Sequence, residues 1–295
     1  MRLSRREFFQ TTAVAGAVVA GGVPTTVVAA TDTWPKGGGD LTDVNVSLSR
    51  WPFRRLPLDE TDVLVARLRS RGVRQAWAGS FDGLLHKDLG AVNARLADEC
   101  RRHGRGILLP FGSINPKLPD WQEELRRCQQ EHKMRGIRVH PNYHRYKLDE
   151  PEFGNLLQMA EARGLIVQLA ASMEDERMQH ALVRVANVDL SVLPGLVERV
   201  PQLKLNLLNW SRAIQPEVQA KLAKSGQVWF DIAMVEGVGG VGHLLETIPA
   251  ERVLFGSHAP FYYFESAALK LKESVLSREQ AEQIRGGNAA GVLHG

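Results

Sequence analysis

"DVNVSLSRWPFRR", residues 43–55, reads as a short strand that runs into a turn. Val44, Val46 and Leu48 alternate with Asn45, Ser47 and Ser49, which is the period of an extended chain. Further short apolar runs follow along the chain. With Thr42–Leu48 they are Val73–Ala78, Ile107–Phe111, Ile137–His140, Ile166–Ala170, Lys204–Leu208, Val228–Ile232 and Val253–Gly256. Their Val, Ile and Leu content suits strands covered on both faces.

Amphipathic helical patterns lie between these runs, at 60–71, 88–103, 121–133, 151–163, 192–200 and 216–225. A last helix is expected over 278–284, before "GGNAAGVL". Gly72, Gly136, Gly164 and Gly226 stand just ahead of strands, where left-handed C-caps belong. Strict alternation predicts a single-domain α/β chain, a (β/α)₈ TIM barrel. A doubly wound open sheet is the alternative, weakened by the lack of a Gly-rich turn after the first strand.

The first 30 residues read as an export signal. "SRREFFQ" (Ser4–Gln10) carries a twin-arginine pair, an apolar stretch follows to Gly22, and "VVAA" (Val27–Ala30) suits cleavage after Ala30. A membrane anchor or a chance Arg-Arg pair is the alternative, but the stretch is short and rich in Gly and Thr for a span. Residues 31–40 are expected to be a flexible leader, and 41–295 the barrel. The expected mature chain is extracytoplasmic or periplasmic, with the twin-arginine machinery as its export partner and no membrane contact after cleavage. Cys100 and Cys128 lie in helical patterns, and two free thiols are expected. The net charge is only +4 and the basic residues are scattered among acidic ones, which argues against a nucleic-acid groove.

Catalytic groups of such barrels stand at the C-terminal ends of the strands. That rule selects Asn45, Ser47, Arg50, His140, Asn142, His144, Gln168, Asn209, Asp231 and His258, with Arg54 in the first loop. Ser80, Asp82, Asn115 and Glu236 meet it too.

Several phrases together resemble the amidohydrolase-related family of metal-dependent barrel hydrolases, which includes decarboxylases and lactonases. They are the opening strand, "GIRVHPNYHRYKLDEPEF" (136–153), "EARGLIVQLA" (161–170), "PQLKLNLLN" (201–209), "ERVLFGSHAPF" (251–261) and "IRGGNAAGVL" (284–293). The resemblance implies metal ligands at positions 45, 47, 170, 209 and 258. This chain has Asn45, Ser47, Ala170, Asn209 and His258 there, none of them the family's ligand. Ser and Asn are weak, neutral oxygen donors, and Ala offers none. No metal or other cofactor is therefore expected.

The residues that are left still allow proton chemistry. His258 is a candidate acid or base near neutral pH, with His140 and Asp231 as further catalytic candidates. Asn45, Ser47, Asn142, His144, Gln168 and Asn209 are candidates for orienting a small-molecule substrate, and Arg50 or Arg54 for holding a carboxylate. Each has a structural alternative: packed strand residues, a rigid aromatic lid at "RWPFR", and a strand end running into a loop at His140–His144, where Pro141 argues against a helix. The expected function is hydrolysis of an ester, lactone or amide. A catalytically silent binding barrel, or a metal site rebuilt from His140, His144 and His258, are the alternatives.

Changing Arg5 and Arg6 to Lys is expected to hold the precursor in the cytoplasm. Cell fractionation checks this, and normal export of the variant removes the twin-arginine reading.

Overall fold

The structure, a computed structural model, describes residues 41–295. The expected signal and leader, residues 1–40, lie outside the described residues. Eight parallel strands stand side by side in chain order. They are β1 (Leu41–Leu48), β2 (Val73–Ser80), β3 (Leu108–Ser113), β4 (Gly136–Val139), β5 (Ile166–Ala170), β6 (Lys204–Leu208), β7 (Gln227–Asp231) and β8 (Val253–Leu254). The first strand meets the segment that follows the last one. Val44 N–H donates to the Phe255 carbonyl and Ser47 N–H to the Ala259 carbonyl, both at 2.9 Å. An open doubly wound sheet has no such contact, so the fold is a (β/α)₈ barrel.

The helices turn their apolar stripes to the barrel. Helix Leu89–His103 buries Leu89, Val92, Leu96 and Cys100, and helix Pro151–Ala162 buries Phe153, Leu156, Leu157 and Ala160. Cys100 and Cys128 are free, buried thiols. Burial pushes the Cys100 thiol up to about 12. Inside the barrel, Trp77 stacks on Phe111 with ring centres 5.0 Å apart.

Four local expectations need correction. Pro141 does not prevent a helix: Pro141–His144 is a helical turn with the proline in its first position, where the missing N–H is no loss. His144 N–H closes this turn on the His140 carbonyl at 3.0 Å. Gly136 does not cap a helix. It begins β4, where a Cβ would fall on the Ile166 carbonyl oxygen and the Phe111 ring. Gly72, Gly164 and Gly226 do have the expected positive φ, at +84°, +63° and +55°.

The eighth strand stops at Leu254, because Phe255 N–H is taken by the Ile284 carbonyl at 3.0 Å. The last helix does not end at 284: it passes through a π-helical turn, Gln283–Gly287, and continues as Asn288–His294. Among the described residues, no helix is long and apolar enough to cross a membrane.

Two glycines separate space from backbone freedom. Gly154 sits inside a helix, and nothing lies within 4 Å of where a methyl group would stand, so Gly154→Ala is expected to stabilise by about 0.5–1 kcal/mol. Gly136→Ala is expected to destabilise by about 1–3 kcal/mol through overpacking. Denaturant unfolding of the two variants checks both signs.

Candidate active site

The C-terminal ends of β1, β6, β7 and β8 bring four polar side chains together. The Asn45 amide donates from Nδ2 to Asn209 Oδ1 at 2.9 Å and to Asp231 Oδ2 at 2.7 Å. Asp231 Oδ1 accepts the Asn209 backbone N–H at 3.0 Å. Asn209 Nδ2 donates to the Ser172 carbonyl at 2.9 Å and lies 3.5 Å from both ring nitrogens of His258.

His258 Nε2 is 2.7 Å from the Met173 carbonyl oxygen. A carbonyl only accepts, so Nε2 carries the hydrogen and Nδ1 keeps a lone pair. Asn209 and His258 both have left-handed backbones, with φ of +54° and +59°. This conformation is uncommon for a non-glycine residue and is held here by the surrounding bonds.

Below this cluster lies Arg138, on β4. Its Nε donates to Gln168 Oε1 (2.9 Å), Nη1 to the Val46 carbonyl (2.9 Å) and to Ser47 Oγ (3.3 Å), and Nη2 to the Trp77 carbonyl (3.1 Å). The side chain thus reaches across the barrel from β4 to the backbones of β1 and β2. Gln168 completes the tie by donating from Nε2 to the Val44 carbonyl at 2.7 Å. Asp43, beside Asn45 on β1, accepts from Ser257 N at 2.9 Å and from Ser257 Oγ at 2.5 Å.

Burial sets the protonation of these groups. It pushes the Asp231 carboxyl up to about 7, against the bonds from Asn45 and the Asn209 N–H. Burial raises Asp43 to about 6, against its bonds to Ser257 and Asn45. Burial also lowers His258 to about 4, against its bond to the Met173 carbonyl. His258 is therefore neutral at pH 7, and its titration lies below the ordinary histidine range expected from sequence. His140 is held well below its usual value, first by burial and then by the charges of His144, Arg138 and His258.

Aromatic side chains close the mouth. Trp51, from the first loop, meets Phe53, Phe81, Tyr143 and Phe261 edge-on, with ring centres 5.0 to 6.4 Å apart. Phe261 in turn stacks on His258 at 5.1 Å. Arg54 lies over the Phe261 ring at 5.0 Å and donates to the buried Glu174 carboxylate at 2.7 Å.

Asn45, Asn209, Asp231 and His258 therefore share one cluster, while Ser47 and Gln168 bond Arg138 beneath it. His140 is buried with its Nδ1 unpartnered. His144 bonds from Nε2 to the Gly83 carbonyl at 2.8 Å, with its ring centre 6.0 Å from that of His140. Asn142 points to a loop, donating to the Ala186 carbonyl at 3.0 Å. Arg50 pairs with Glu60 on the exposed face. Ser80 bonds Ser49, Asp82 pairs with Arg95 and Glu236 pairs with Arg212.

Sequence reasoning missed Arg138, Asp43 and Glu174. The first two had a signal: each stands two residues before a selected residue, so a period of two places it on the same strand face, one step deeper.

The residues at the ligand positions do not fit a divalent ion. Asn45 turns its amide hydrogens toward Asn209 and Asp231, Ala170 has no donor, and the N–H side of His258 faces a carbonyl. Among the described residues, no group of three or more His, Cys, Asp or Glu is disposed to hold a metal.

Fold and site together define a (β/α)₈ barrel with a closed polar centre at the C-terminal ends of its strands. The amidohydrolase family profile matches residues 46–294, and the chain belongs to that family. No curated protein matches the chain.

Solved structures similar to it include 5-carboxyvanillate decarboxylase from Novosphingobium aromaticivorans, at 14% identity and TM-score 0.70, covering 88% of this chain and 97% of that one. The 5-carboxyvanillate decarboxylase of Sphingomonas paucimobilis has 15% identity and TM-score 0.67, over 86% of this chain and 98% of that one. The 2,6-dihydroxybenzoate decarboxylase of Rhizobium has 14% identity and TM-score 0.65, over 86% and 98%. At this identity the likeness shows the shared fold.

Removing Arg54 leaves the buried Glu174 carboxylate without its cation. Arg54→Met is expected to destabilise the protein by about 1–3 kcal/mol, and adding Glu174→Gln to recover part of the loss. Thermal unfolding of the single and double variants checks this.

Proposed function

We propose that the protein is an exported hydrolase of small esters, lactones or amides, working without a resident metal. The observation that carries this is the state of His258. It is neutral, its Nε2–H is fixed on the Met173 carbonyl, and its Nδ1 lone pair lies beside Asn209.

Water attacks the substrate carbonyl carbon while His258 Nδ1 takes the proton. The developing oxyanion takes over amide N–H groups of Asn45 and Asn209 that are paired within the cluster before substrate enters. The leaving alcohol or amine receives a proton from the Asp231 carboxyl, and the proton on His258 then returns to Asp231. His140 stands by as a further proton carrier. Entry requires the Trp51 loop to swing out.

Arg54, at the rim beside Phe261, is the arginine placed to exchange Glu174 for a substrate carboxylate. Arg50, held by Glu60, is not so placed. An aromatic acid derivative suits the rings of the mouth. The similar structures support this choice: they include decarboxylases of hydroxylated aromatic acids, some of them with bound manganese. The donor set described above favours chemistry without that ion. Export rests on the Arg5-Arg6 motif and the small-residue site at Ala30.

A second reading, a catalytically silent barrel that binds a small molecule, is favoured by the aromatic cover and by the mutual pairing of the polar groups beneath it. A screen of ester, lactone and amide substrates separates the two. On any substrate turned over, His258→Asn is expected to reduce kcat about 10²-fold or more.

The pH profile of the wild type should be bell-shaped. The base works only when neutral, so the acid limb falls near pH 4; the acid works only when protonated, so the alkaline limb falls near pH 7. Full activity of His258→Asn, or an acid limb at the ordinary histidine value, overturns the role of His258.

A further inference from the structure

Arg138 is 2% exposed, yet all four of its hydrogen bonds end on neutral oxygens: Gln168 Oε1, Ser47 Oγ and the Val46 and Trp77 carbonyls. A buried guanidinium normally pairs with a carboxylate, since an uncompensated charge in a low-dielectric interior is costly. The carboxylates whose charge reaches it are Asp231 and Asp43, neither in direct contact. Both are fully buried in the same barrel. Asp43 in turn feels the Arg138 charge, while the cation that lowers Asp231 most is Lys270, on helix Phe264–Glu273, which bonds the Ile232 and Ala233 carbonyls.

The backbone of β2 leaves room for Arg138. A Cβ on Gly79 would lie 2.7 Å from Arg138 Nη1 and 2.9 Å from its Cδ and Cζ. A guanidinium keeps its proton under nearly all conditions, and here burial brings it down only to about 10.

We propose that Arg138 is the barrel's built-in cation, taking the place of the divalent ion by balancing Asp231 and Asp43 from within the chain. This deepens the metal-free reading of the site and rests on it for its meaning, but its tests need no substrate. Arg138 touches no reacting atom and is a positioning residue. Its charge accommodates Asp43, and Asp231 whenever it has given up its proton, beside neutral histidines. Its Nη1–H also occupies the Ser47 oxygen, leaving the Ser47 hydroxyl hydrogen to point elsewhere. With the charge already supplied, a divalent ion entering the barrel meets a fixed positive neighbour and an amide N–H at Asn45.

Two measurements test it. In a calorimetric titration of the mature protein with Mn²⁺ alone, no saturable binding is expected. One ion bound per chain overturns the proposal, whether or not a hydrolysed substrate is found. The second is a double-mutant cycle read by melting temperature. If Arg138 and Asp231 balance each other, Arg138→Met/Asp231→Asn melts at or above Arg138→Met alone, because the neutralised carboxylate no longer needs the cation. If the two losses simply add, the charge role is wrong and Arg138 only fills space and bonds carbonyls.

Should Arg138→Met fail to fold, a folded double variant is the expected rescue, and an equally unfolded double variant counts against the proposal. Arg138→Lys is the control. It keeps the charge, so Asp231→Asn is expected to lower its melting temperature as much as it lowers that of the wild type. Relief in the lysine background overturns the proposal.

Discussion

The guanidinium of Arg138 crosses the barrel from β4 and is accepted by backbone carbonyls of β1 and β2 and by Gln168 of β5. Much of the interior depends on that crossing. Gln168 is drawn inward to receive it and closes the loop on the Val44 carbonyl. At Gly79 the space a side chain would need is taken by Arg138. Above it Asn45 and Asp231 are joined at 2.7 Å, and the amide of Asn209 meets His258. A buried charge with several rigid acceptors fixes the relative heights of the strands that supply them. The polar cluster above therefore stands on a defined floor.

A second constraint works from the outside. The rings of Trp51, Phe81, Tyr143 and Phe261 pack together, Phe261 stacks on His258, and burial causes the shifts in the cluster. The same burial that neutralises His258 keeps Asp231 protonated to higher pH. Arg54 fastens the cover by facing the Phe261 ring and the Glu174 carboxylate at once.

Much of this was legible in the chain. Short apolar runs separated by amphipathic helices give the alternation, and strand ends give the location of the cluster, so Asn45, Asn209, Asp231 and His258 could be selected together. Depth was less legible. A period of two says which face a residue occupies, not how far down the barrel it lies, so Gln168 reads like a mouth residue while Arg138 escapes notice. Pro141 misleads because the same ring that breaks a helix interior fits its first position. The Gly286-Gly287 pair reads as a stop, yet the chain absorbs it in a π-helical turn and continues. The loop arginines show a further limit: Arg50 and Arg54 look alike in sequence, and only the positions of Glu60 and Glu174 tell them apart.

Gly256 has the same character as Gly79, and together they bear on how this barrel can change. A Cβ at Gly256 would lie 2.8 Å from Asp231 Oδ2 and 3.1 Å from Asn45 Cβ, so the cluster is fitted against bare backbone on two sides. A histidine introduced at 45 would deprive Asp231 of its amide donor while Arg138 stayed lodged against Gly79. A histidine at 170 would have to enter packed space beside Met173. The fitted parts are therefore coupled: a change at one of these positions disturbs the partners that the others hold, so the interior is altered several residues at a time or at a cost in packing.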